Sequence, residues 1–267
     1  MNSEISLKVL FDISIKAGQV IMDIYEKDFQ VESKVDNSPL TIADKCSHQK
    51  IIEGLQLAYP NIPVLSEEGR DIPYEERKNW SQFFLVDPLD GTKEFIKKNG
   101  EFTVNIALIQ GRYPVLGVIY APALDTFYYG VEGLGSYKLE NASAEEVNNE
   151  SDLVGRSIQL PKMDKGGTVN VVASRSHMSP DTEAFIEELK KDNDVEVVSA
   201  GSSLKFCLVA EGKADYYPRY APTMEWDTGA GQAIVEAAGG RVTTYEDNIR
   251  FRYNKENLLN DWFLVEN

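Results

Sequence analysis

The sequence predicts a mixed α/β protein in which two helices precede an antiparallel sheet and a second half alternates strands with helices. Three observations predict this class. Apolar residues recur every three or four positions in residues 5–27 and 41–58, strand-like runs follow one another closely between residues 102 and 131, and strand and helix patterns alternate from residue 169 onward. Alternating layers of helix and sheet are therefore the expected architecture.

The first two segments have the periodicity of amphipathic helices. The apolar positions of the first segment are Val9, Ile13, Ala17, Val20 and Ile24. Those of the second are Ile42, Ile51, Ile52 and Leu55, and Pro60 follows soon after its end.

The middle of the chain reads as strands. A strand at residues 83–86 is expected to end at Asp87-Pro88. The runs 102–109, 115–120 and 126–131 are separated by short turns, as in an antiparallel meander. The polar, acidic stretch 140–152 predicts an exposed loop, so we divide the chain into an N-terminal part, 1–155, and a C-terminal part, 156–267.

The second half has the alternation of an α/β unit. Its expected elements are a strand at 169–173, a helix at 180–191, a strand at 195–199, a helix at 202–211, a strand at 214–217, a helix at 226–238 and a strand at 241–245. Ser179-Pro180 is a favourable helix start, because serine can cap the helix and proline suits its first position.

Composition and charge exclude several classes of protein. No run approaches the roughly 18 apolar residues that a membrane span needs. The 43 acidic and 27 basic residues give a net charge of −16, which argues against non-specific binding to nucleic acid or anionic lipid. Met1-Asn2-Ser3-Glu4 lacks the basic start of a signal peptide, and we expect Cys46 and Cys207 to be thiols. We therefore expect a cytoplasmic protein, with peripheral association at the inner membrane as an open alternative.

The segment Asp87-Pro88-Leu89-Asp90-Gly91-Thr92 carries the strongest chemical signal. Its two carboxylates, three residues apart at a strand end, could converge on one point, and oxygen ligands suit Mg²⁺. The alternative is an ordinary turn with solvated aspartates. Taken alone, Glu67, which follows an apolar run, is most simply part of a solvated loop. Taken alone, Asp227 is better explained as a favourable helix-start residue than as a metal ligand.

The order of three motifs changes the balance. Glu67-Glu68, then residues 87–92, then Trp226-Asp227-Thr228-Gly229-Ala230-Gly231 resemble the inositol monophosphatase-like, lithium-sensitive phosphatases, with Gly229 where alanine is common. The resemblance implies a layered α-β-α-β-α sandwich. It also implies two or three Mg²⁺ ions, with Asp87 bridging two of them. The implied ligands are Glu67, Asp87, the Leu89 carbonyl, Asp90 and Asp227.

Within that superfamily, the chain is most similar to the bacterial 3'(2'),5'-bisphosphate nucleotidases. The similarity lies in residues 64–68, 85–96, 99–109 and 201–212. It implies hydrolysis of adenosine 3',5'-bisphosphate (PAP) to AMP and phosphate in sulfur assimilation, with the sulfated precursor PAPS as a further candidate substrate. An inositol monophosphatase or related sugar phosphatase, and a non-catalytic PAP sensor on the same scaffold, are the alternatives.

Two residues have competing roles. Thr41 and Asp44 have the spacing of a helix capping box. The resemblance instead implies that Asp44 accepts a hydrogen bond from the Thr92 hydroxyl, which orients the attacking water beside Glu67. The two roles are compatible with each other.

Substrate selection is assigned mainly to the second half. Gly91 and Thr92 stand where a helix could begin, so that their N–H groups can face a phosphate. Ser174, Arg175 and His177 follow the strand 169–173, and His177 could stack on adenine or only pack. By resemblance, Ser202, Lys205 and Arg219 contact the nucleotide and its second phosphate, and Asp227 is a substrate-binding residue as well as a metal ligand. Each cation alone would be interpreted as a solvated surface group.

Overall fold

A computed structural model describes residues 5–26, 31–33, 39–69, 71–161, 167–173 and 178–267. The α-helices are α1 (Leu7–Tyr25), α2 (Ile42–Ala58), α3 (Tyr74–Arg77), α4 (Thr92–Ile96), α5 (Glu150–Arg156), α6 (Pro180–Leu189), α7 (Leu204–Ala210) and α8 (Gly229–Ala237). Short 3₁₀ turns cover Pro122–Leu124, Ala142–Ala144 and Glu225–Asp227. No helix in these ranges has the length and apolar composition that crossing a membrane would require.

The strands form two large sheets and one small hairpin. In chain order they are β1 (Val31–Ser33), β2 (Pro39–Thr41), β3 (Val64–Ser66), β4 (Gln82–Asp90), β5 (Thr103–Gln110), β6 (Tyr113–Ala121), β7 (Thr126–Val131), β8 (Gly135–Glu140), β9 (Ile158–Leu160), β10 (Val169–Ala173), β11 (Val195–Ser199), β12 (Tyr216–Arg219), β13 (Arg241–Thr244) and β14 (Phe263–Glu266). Strands β1 and β2 pair only with each other.

The larger sheet has seven strands in the order β3-β4-β5-β6-β7-β8-β9. All neighbours are antiparallel except β3, which runs parallel to β4. The second sheet has the order β11-β10-β12-β14-β13. In this sheet, β10 is parallel to both β11 and β12, and β14 is antiparallel to both β12 and β13. The predicted meander and the predicted α/β half thus correspond to separate sheets.

The two faces of β4 belong to two different cores. Phe84 packs with Leu10 and Ile21 in the core between the larger sheet and helices α1 and α2. Leu85, on the opposite face, packs with residues of α7, α8 and the second sheet. Helix α6 covers the far side of the second sheet, where Phe185 contacts Tyr216 with ring centroids 5.8 Å apart. The order is helix, sheet, helix, sheet, helix, so the predicted α-β-α-β-α sandwich is confirmed.

Helix α8 packs closely on the larger sheet because glycines occupy the contact positions Gly117 and Gly130 of the sheet and Gly229 of the helix. A Cβ on Gly117 would lie 2.4 Å from the carbonyl oxygen of Ala230, and one on Gly130 would lie 2.5 Å from the Cα of Ile234. A Cβ on Gly229 would lie 2.9 Å from a methyl group of Leu85. The run of small residues noted in the sequence therefore fixes how near α8, and the segment before it, come to β4.

Several predicted boundaries were wrong. The strand at 83–86 does not end at Asp87-Pro88 but continues to Asp90. The stretch 140–152 is not a simple loop, because α5 begins at Glu150 with the Asn149 side chain accepting a hydrogen bond from the Asp152 amide. The helix predicted at 226–238 starts at Gly229, after a 3₁₀ turn. Strands β8 and β14 were not predicted at all.

The division of the chain at residue 155 stays a prediction. Strand β9 lies beyond that point and pairs with β8 in the larger sheet. Helix α8 belongs to the second half of the chain but packs on β5, β6 and β7 of the first.

Candidate active site

Glu67 and Asp87 are brought together by the one parallel strand pair of the larger sheet. Strand β3 pairs with β4 so that Ser66 lies opposite Val86. The Glu67 amide continues this ladder and donates to the Val86 carbonyl at 3.1 Å. Glu67, which directly follows β3, and Asp87, which lies within β4, therefore sit side by side.

A β-bulge places Asp87 and Asp90 on the same face of the sheet. Asp87 pairs with Asn105 and Asp90 pairs with Thr103, so three residue steps on β4 match two on β5. In a regular strand, residues three apart point to opposite faces, and one extra residue reverses this. Pro88, which has no N–H to donate to the ladder, sits in the bulge. The Ser47 hydroxyl donates to the Pro88 carbonyl at 2.7 Å, and the Leu89 amide donates to Asp87 Oδ1 at 3.1 Å.

Asp227 arrives from the other half of the chain. It ends the 3₁₀ turn before α8, and its Oδ2 accepts the Met224 amide at 2.9 Å. The buried Glu225 beside it holds the turn by accepting the Asn254 amide at 2.6 Å and the Lys255 amide at 2.9 Å. Because α8 packs so closely on β5 and β6, this turn is held against the carboxylate-bearing end of β4.

The four carboxylates share one electrostatic environment. Burial, together with the negative charges of Glu67, Asp90 and Asp227, raises the pKa of Asp87 well above its usual value. Burial and the charges of Asp90 and Glu67 raise the pKa of Asp227 to about 8. Among the described residues, no three Asp, Glu, His or Cys side chains are gathered tightly enough to hold a metal ion as they stand.

Asp44 is buried near Asp87, and Thr92 begins α4. Asp44 has no exposed surface, and its charge contributes to the raised pKa of Asp87. Thr92 is the first residue of α4, directly after Gly91, whose φ of +90° favours glycine. The side chain of Thr41 lies outside the described residues. The hydrogen bond expected between Thr92 and Asp44 remains a prediction.

An open cleft adjoins the carboxylates. The residues that line it include Asp90, Gly91, Ser202, Lys205, Arg219 and Asp227. The sequence therefore named residues from both halves of the chain that line one cleft. Leu89 is the exception among the predicted ligands, in that its side chain is packed in the core with α1 and α2; the role of its carbonyl stays a prediction.

Two of the cationic side chains that line the cleft, Lys205 and Arg219, donate to backbone carbonyls. The Lys205 ammonium donates to the Ser202 carbonyl at 2.5 Å and to the Ala200 carbonyl at 3.4 Å. Burial and the charge of Arg219 lower the pKa of Lys205 to about 8, although Asp90 opposes this. Arg219 donates to the Pro222 carbonyl at 3.1 Å, and its buried Nε has no hydrogen-bond partner among the described residues. Both cations thus face the cleft.

Some expected residues lie beyond the described part of the chain, and others were missed. Ser174, Arg175 and His177 are outside the described residues, so their roles stay predictions. Asn105 and Ser203, which contact Asp90, were not predicted as site residues, although Gly201-Ser202-Ser203 was named as a helix start suited to an anion. The available signal was Asn105 itself, a polar residue inside the apolar strand run Val104 to Leu108, because buried polar groups need partners.

The chain belongs to the inositol monophosphatase family, whose family model matches residues 3–264. The 3'(2'),5'-bisphosphate nucleotidase CysQ of Salmonella typhimurium is 44% identical to it over 262 residues, which cover 97% of this chain and 98% of that protein. The resemblance inferred from the motifs is therefore confirmed. Members of this family are generally Mg²⁺-dependent.

Solved structures agree with this assignment. The crystal structure of CysQ from Bacteroides thetaiotaomicron, described as a bacterial member of the family, is 49% identical and superposes with a TM-score of 0.90 over 99% of this chain and 98% of that one. The extragenic suppressor protein suhB of Bartonella henselae, at 24% identity, shares the fold, with a TM-score of 0.74 over 98% and 93% of the two chains.

Proposed function

We propose that this protein is a Mg²⁺-dependent phosphomonoesterase that hydrolyses adenosine 3',5'-bisphosphate to AMP and phosphate. The observation that carries the proposal is one cleft lined by Asp90 and Asp227, two members of the carboxylate cluster, and by the cations Lys205 and Arg219. The 44% identity to a 3'(2'),5'-bisphosphate nucleotidase over nearly the whole chain supports this choice of substrate.

The residues present fit a site for Mg²⁺. Glu67, Asp87, Asp90 and Asp227 offer only oxygen donors, which Mg²⁺ prefers. Their mutual repulsion, seen in the raised pKa values of Asp87 and Asp227, would be relieved by cations between them. The buried Oδ1 of Asn105 has no hydrogen-bond partner among the described residues, so that a water of hydration could supply one. We assign two or three ions to this cluster, with the Leu89 carbonyl as a further ligand.

The chain's own residues would orient the reacting groups. When bound, Mg²⁺ supplies neutralisation of the phosphate oxygens and of the departing ribose oxygen, and it acidifies water. We assign to Thr92 and Asp44 the hydrogen bonds that orient the attacking water beside Glu67. Gly91 packs closely against Glu101 and Ser202, since a Cβ there would lie 3.0 Å from the Glu101 carbonyl oxygen and 3.2 Å from the Ser202 Cβ. We assign to the backbone N–H groups of Gly91 and Thr92 a contact with the phosphate.

The cations give the site a preference for a second phosphate. An acidic protein with net charge −16 needs local positive charge to bind a bisphosphate. Arg219 can supply two parallel hydrogen bonds to a phosphate, and the buried Lys205 adds charge at low cost because its position is already fixed. We include Ser202, and by similarity Ser174, Arg175 and His177, in the nucleotide-binding set. PAPS is the second candidate substrate.

We expect this activity to take place in the cytoplasm. Both cysteines, Cys46 and Cys207, are free thiols, which is typical of a reducing compartment such as the cytoplasm. The functional division that we propose assigns most metal ligands to residues 1–155 and most nucleotide contacts to residues 156–267.

Phosphate release from three substrates, measured side by side with Mg²⁺, tests the proposal. We expect adenosine 3',5'-bisphosphate to be hydrolysed fastest, and AMP and inositol 1-phosphate to be poor substrates. Preference for inositol 1-phosphate would instead favour an inositol monophosphatase. Tight binding of the bisphosphate without phosphate release would favour a sensor.

The isosteric variant Asp90→Asn provides the matched chemical test. It preserves size but removes a charged ligand, so it should lose nearly all turnover at ordinary Mg²⁺ concentrations while its circular dichroism spectrum stays that of the wild type. Near-normal turnover in this variant would remove Asp90 from the metal site.

A further inference from the structure

One hydroxyl group joins the two halves of the site. Ser203 Oγ lies 2.7 Å from Asp90 Oδ2 and 2.9 Å from the carbonyl oxygen of Asp227. The Asn105 side-chain amide approaches the same hydroxyl at 2.9 Å and Asp90 Oδ2 at 3.5 Å. Asn105 belongs to β5, Asp90 to β4, and Ser203 to the segment before α7, so the contacts span both sheets.

Proton counting fixes the direction of these hydrogen bonds. The amide of Asn105 can only donate from Nδ2, so Ser203 Oγ accepts that hydrogen. The single hydroxyl hydrogen of Ser203 then goes to Asp90 or to the Asp227 carbonyl. An ionised carboxylate is the stronger acceptor, so Asp90 receives it when charged. The orientation of the Asp90 carboxylate is therefore set by the Ser203 hydroxyl, which is itself held by the Asn105 amide.

Burial makes this arrangement specific. Asn105 and Ser203 are each 1% exposed, so neither can exchange its partner for bulk water. The bulge of β4 brings Asp90 to this hydroxyl, and Asn105 is the cross-strand partner of Asp87. Asn105 and Ser203 therefore adjoin the carboxylate cluster at Asp90 and at Asp87, although neither residue is one of its carboxylates.

The Ser203 hydroxyl also holds in place a segment that lines the cleft. Residues 201–205, called here the cleft segment, include Ser202 and Lys205. The Gly201 amide donates to Glu101 Oε2 at 2.8 Å, and Ser203 forms the second tie to the first half of the chain. Lys205 is fixed in turn by the Ser202 carbonyl. A shift of Ser203 would thus displace both Asp90 and the Lys205 ammonium.

We propose that Asn105 and Ser203 are positioning residues that orient Asp90 for Mg²⁺ and couple the metal site to the cleft segment. The proposal rests on the proposed function, because it requires a metal at Asp90. It assigns neither residue a contact with substrate or metal. Their effect is to preorganise a ligand, for which loss of an outer partner typically costs about 10- to 100-fold in metal affinity or activity.

Binding of Mg²⁺ to metal-stripped protein, measured by calorimetry without substrate, tests the proposal. We expect Ser203→Ala to weaken Mg²⁺ binding about 10- to 100-fold and Ser203→Thr, which keeps the hydroxyl, to restore most of the affinity. Asn105→Ala should also weaken Mg²⁺ binding. The double variant should bind Mg²⁺ little more weakly than whichever single variant has the lower affinity, because the two residues act in series.

Ser136→Ala is the matched control. Ser136 is also fully buried, but its hydroxyl donates to the Tyr129 carbonyl at 3.4 Å, in the larger sheet on β8. This variant should lose some stability and keep its Mg²⁺ affinity. Folded Ser203→Ala with wild-type Mg²⁺ affinity would overturn the proposal, and Asn105→Ala carries the same test should Ser203→Ala not fold. Wild-type protein that binds no Mg²⁺ would instead overturn the proposed function on which the inference rests.

Discussion

Asp87 is the residue at which burial and charge conflict most strongly. It is 1% exposed and stands beside Glu67, Asp90 and Asp227, so its ionised form is disfavoured both by desolvation and by like charges. A fold that keeps such a cluster gains nothing in stability from it. The cluster is understandable as a binding site for cations.

Substitution of Asp44 distinguishes a catalytic role of this residue from a helix-capping role. Capping contributes about 0.5–2 kcal/mol to stability and nothing directly to rate, whereas loss of a proton-transfer relay costs about 10²–10⁴-fold in rate. We expect Asp44→Asn to lower turnover by that range, because asparagine keeps the size of aspartate and removes its charge. Thr92→Ala should do the same, and the double variant should be little worse than either. A lowered melting temperature with normal turnover would instead assign Asp44 to capping.

At the scale of elements, the closeness of α8 to the larger sheet positions Asp227. A methyl group at position 117 would meet the Ala230 backbone, which cannot rotate away as a flexible side chain could. We expect Gly117→Ala to cost about 1–3 kcal/mol of stability and to lower turnover, because α8 must move and Asp227 precedes it. Urea denaturation and phosphate release would measure the two effects.

Gly155→Ala is the control for that change. Gly155 lies in α5, and a Cβ there would meet nothing within 4 Å. Alanine should stabilise this helix by about 0.4–1 kcal/mol and leave turnover unchanged. Equal behaviour of the two variants would mean that the packing of α8 does not set the position of Asp227.

Sequence patterns predicted elements better than their ends. The helices α1 and α2 were found because their apolar faces repeat, and the second-half alternation was found for the same reason. The course of β4 through Asp90 could not be predicted from local signals, because Pro88 is normally a strand terminator and only pairing with β5 tolerates it as a bulge. Strand β14 was missed because its pairing partners, β12 and β13, precede it by 19 residues or more in the chain.

The candidate site was predictable where it followed short motifs. Residues 67, 87, 90 and 227 were named from the sequence and lie together, and Ser202, Lys205 and Arg219 line the same cleft. Asn105 and Ser203 could not be predicted as site residues, because a hydrogen bond between residues 98 positions apart depends on the packing of two sheets. Their participation in the site is a property of tertiary structure.

For the whole molecule, the shared environment of the carboxylates predicts how Mg²⁺ and pH act on stability. The folded-state pKa of Asp227, about 8, and that of Asp87 lie above the usual value of 3.8. In metal-free protein their contribution to stability is complete below the unfolded-state pKa and is lost as pH rises toward 8, because the folded state holds protons that the unfolded state releases.

Mg²⁺ requires the same carboxyl groups in ionised form. It should therefore raise the melting temperature more at about pH 8 than at about pH 5, where protons compete for the ligands. Differential scanning calorimetry with and without chelator measures this. A Mg²⁺ effect independent of pH would mean that the ion binds elsewhere.

We propose above all that one cleft combines a metal site for phosphate-ester hydrolysis with a binding site for a second phosphate. The most direct test is the ratio of kcat/KM for adenosine 3',5'-bisphosphate to that for adenosine 3'-monophosphate, in the wild type and in Arg219→Ala. Arg241→Ala, in the same sheet but paired on the surface with Glu266, is the control. A charged phosphate contact contributes roughly 1.5–3 kcal/mol, so the ratio should fall about tenfold to a hundredfold in Arg219→Ala and stay unchanged in the control. An equal loss on both substrates, with the ratio preserved, would contradict the claim.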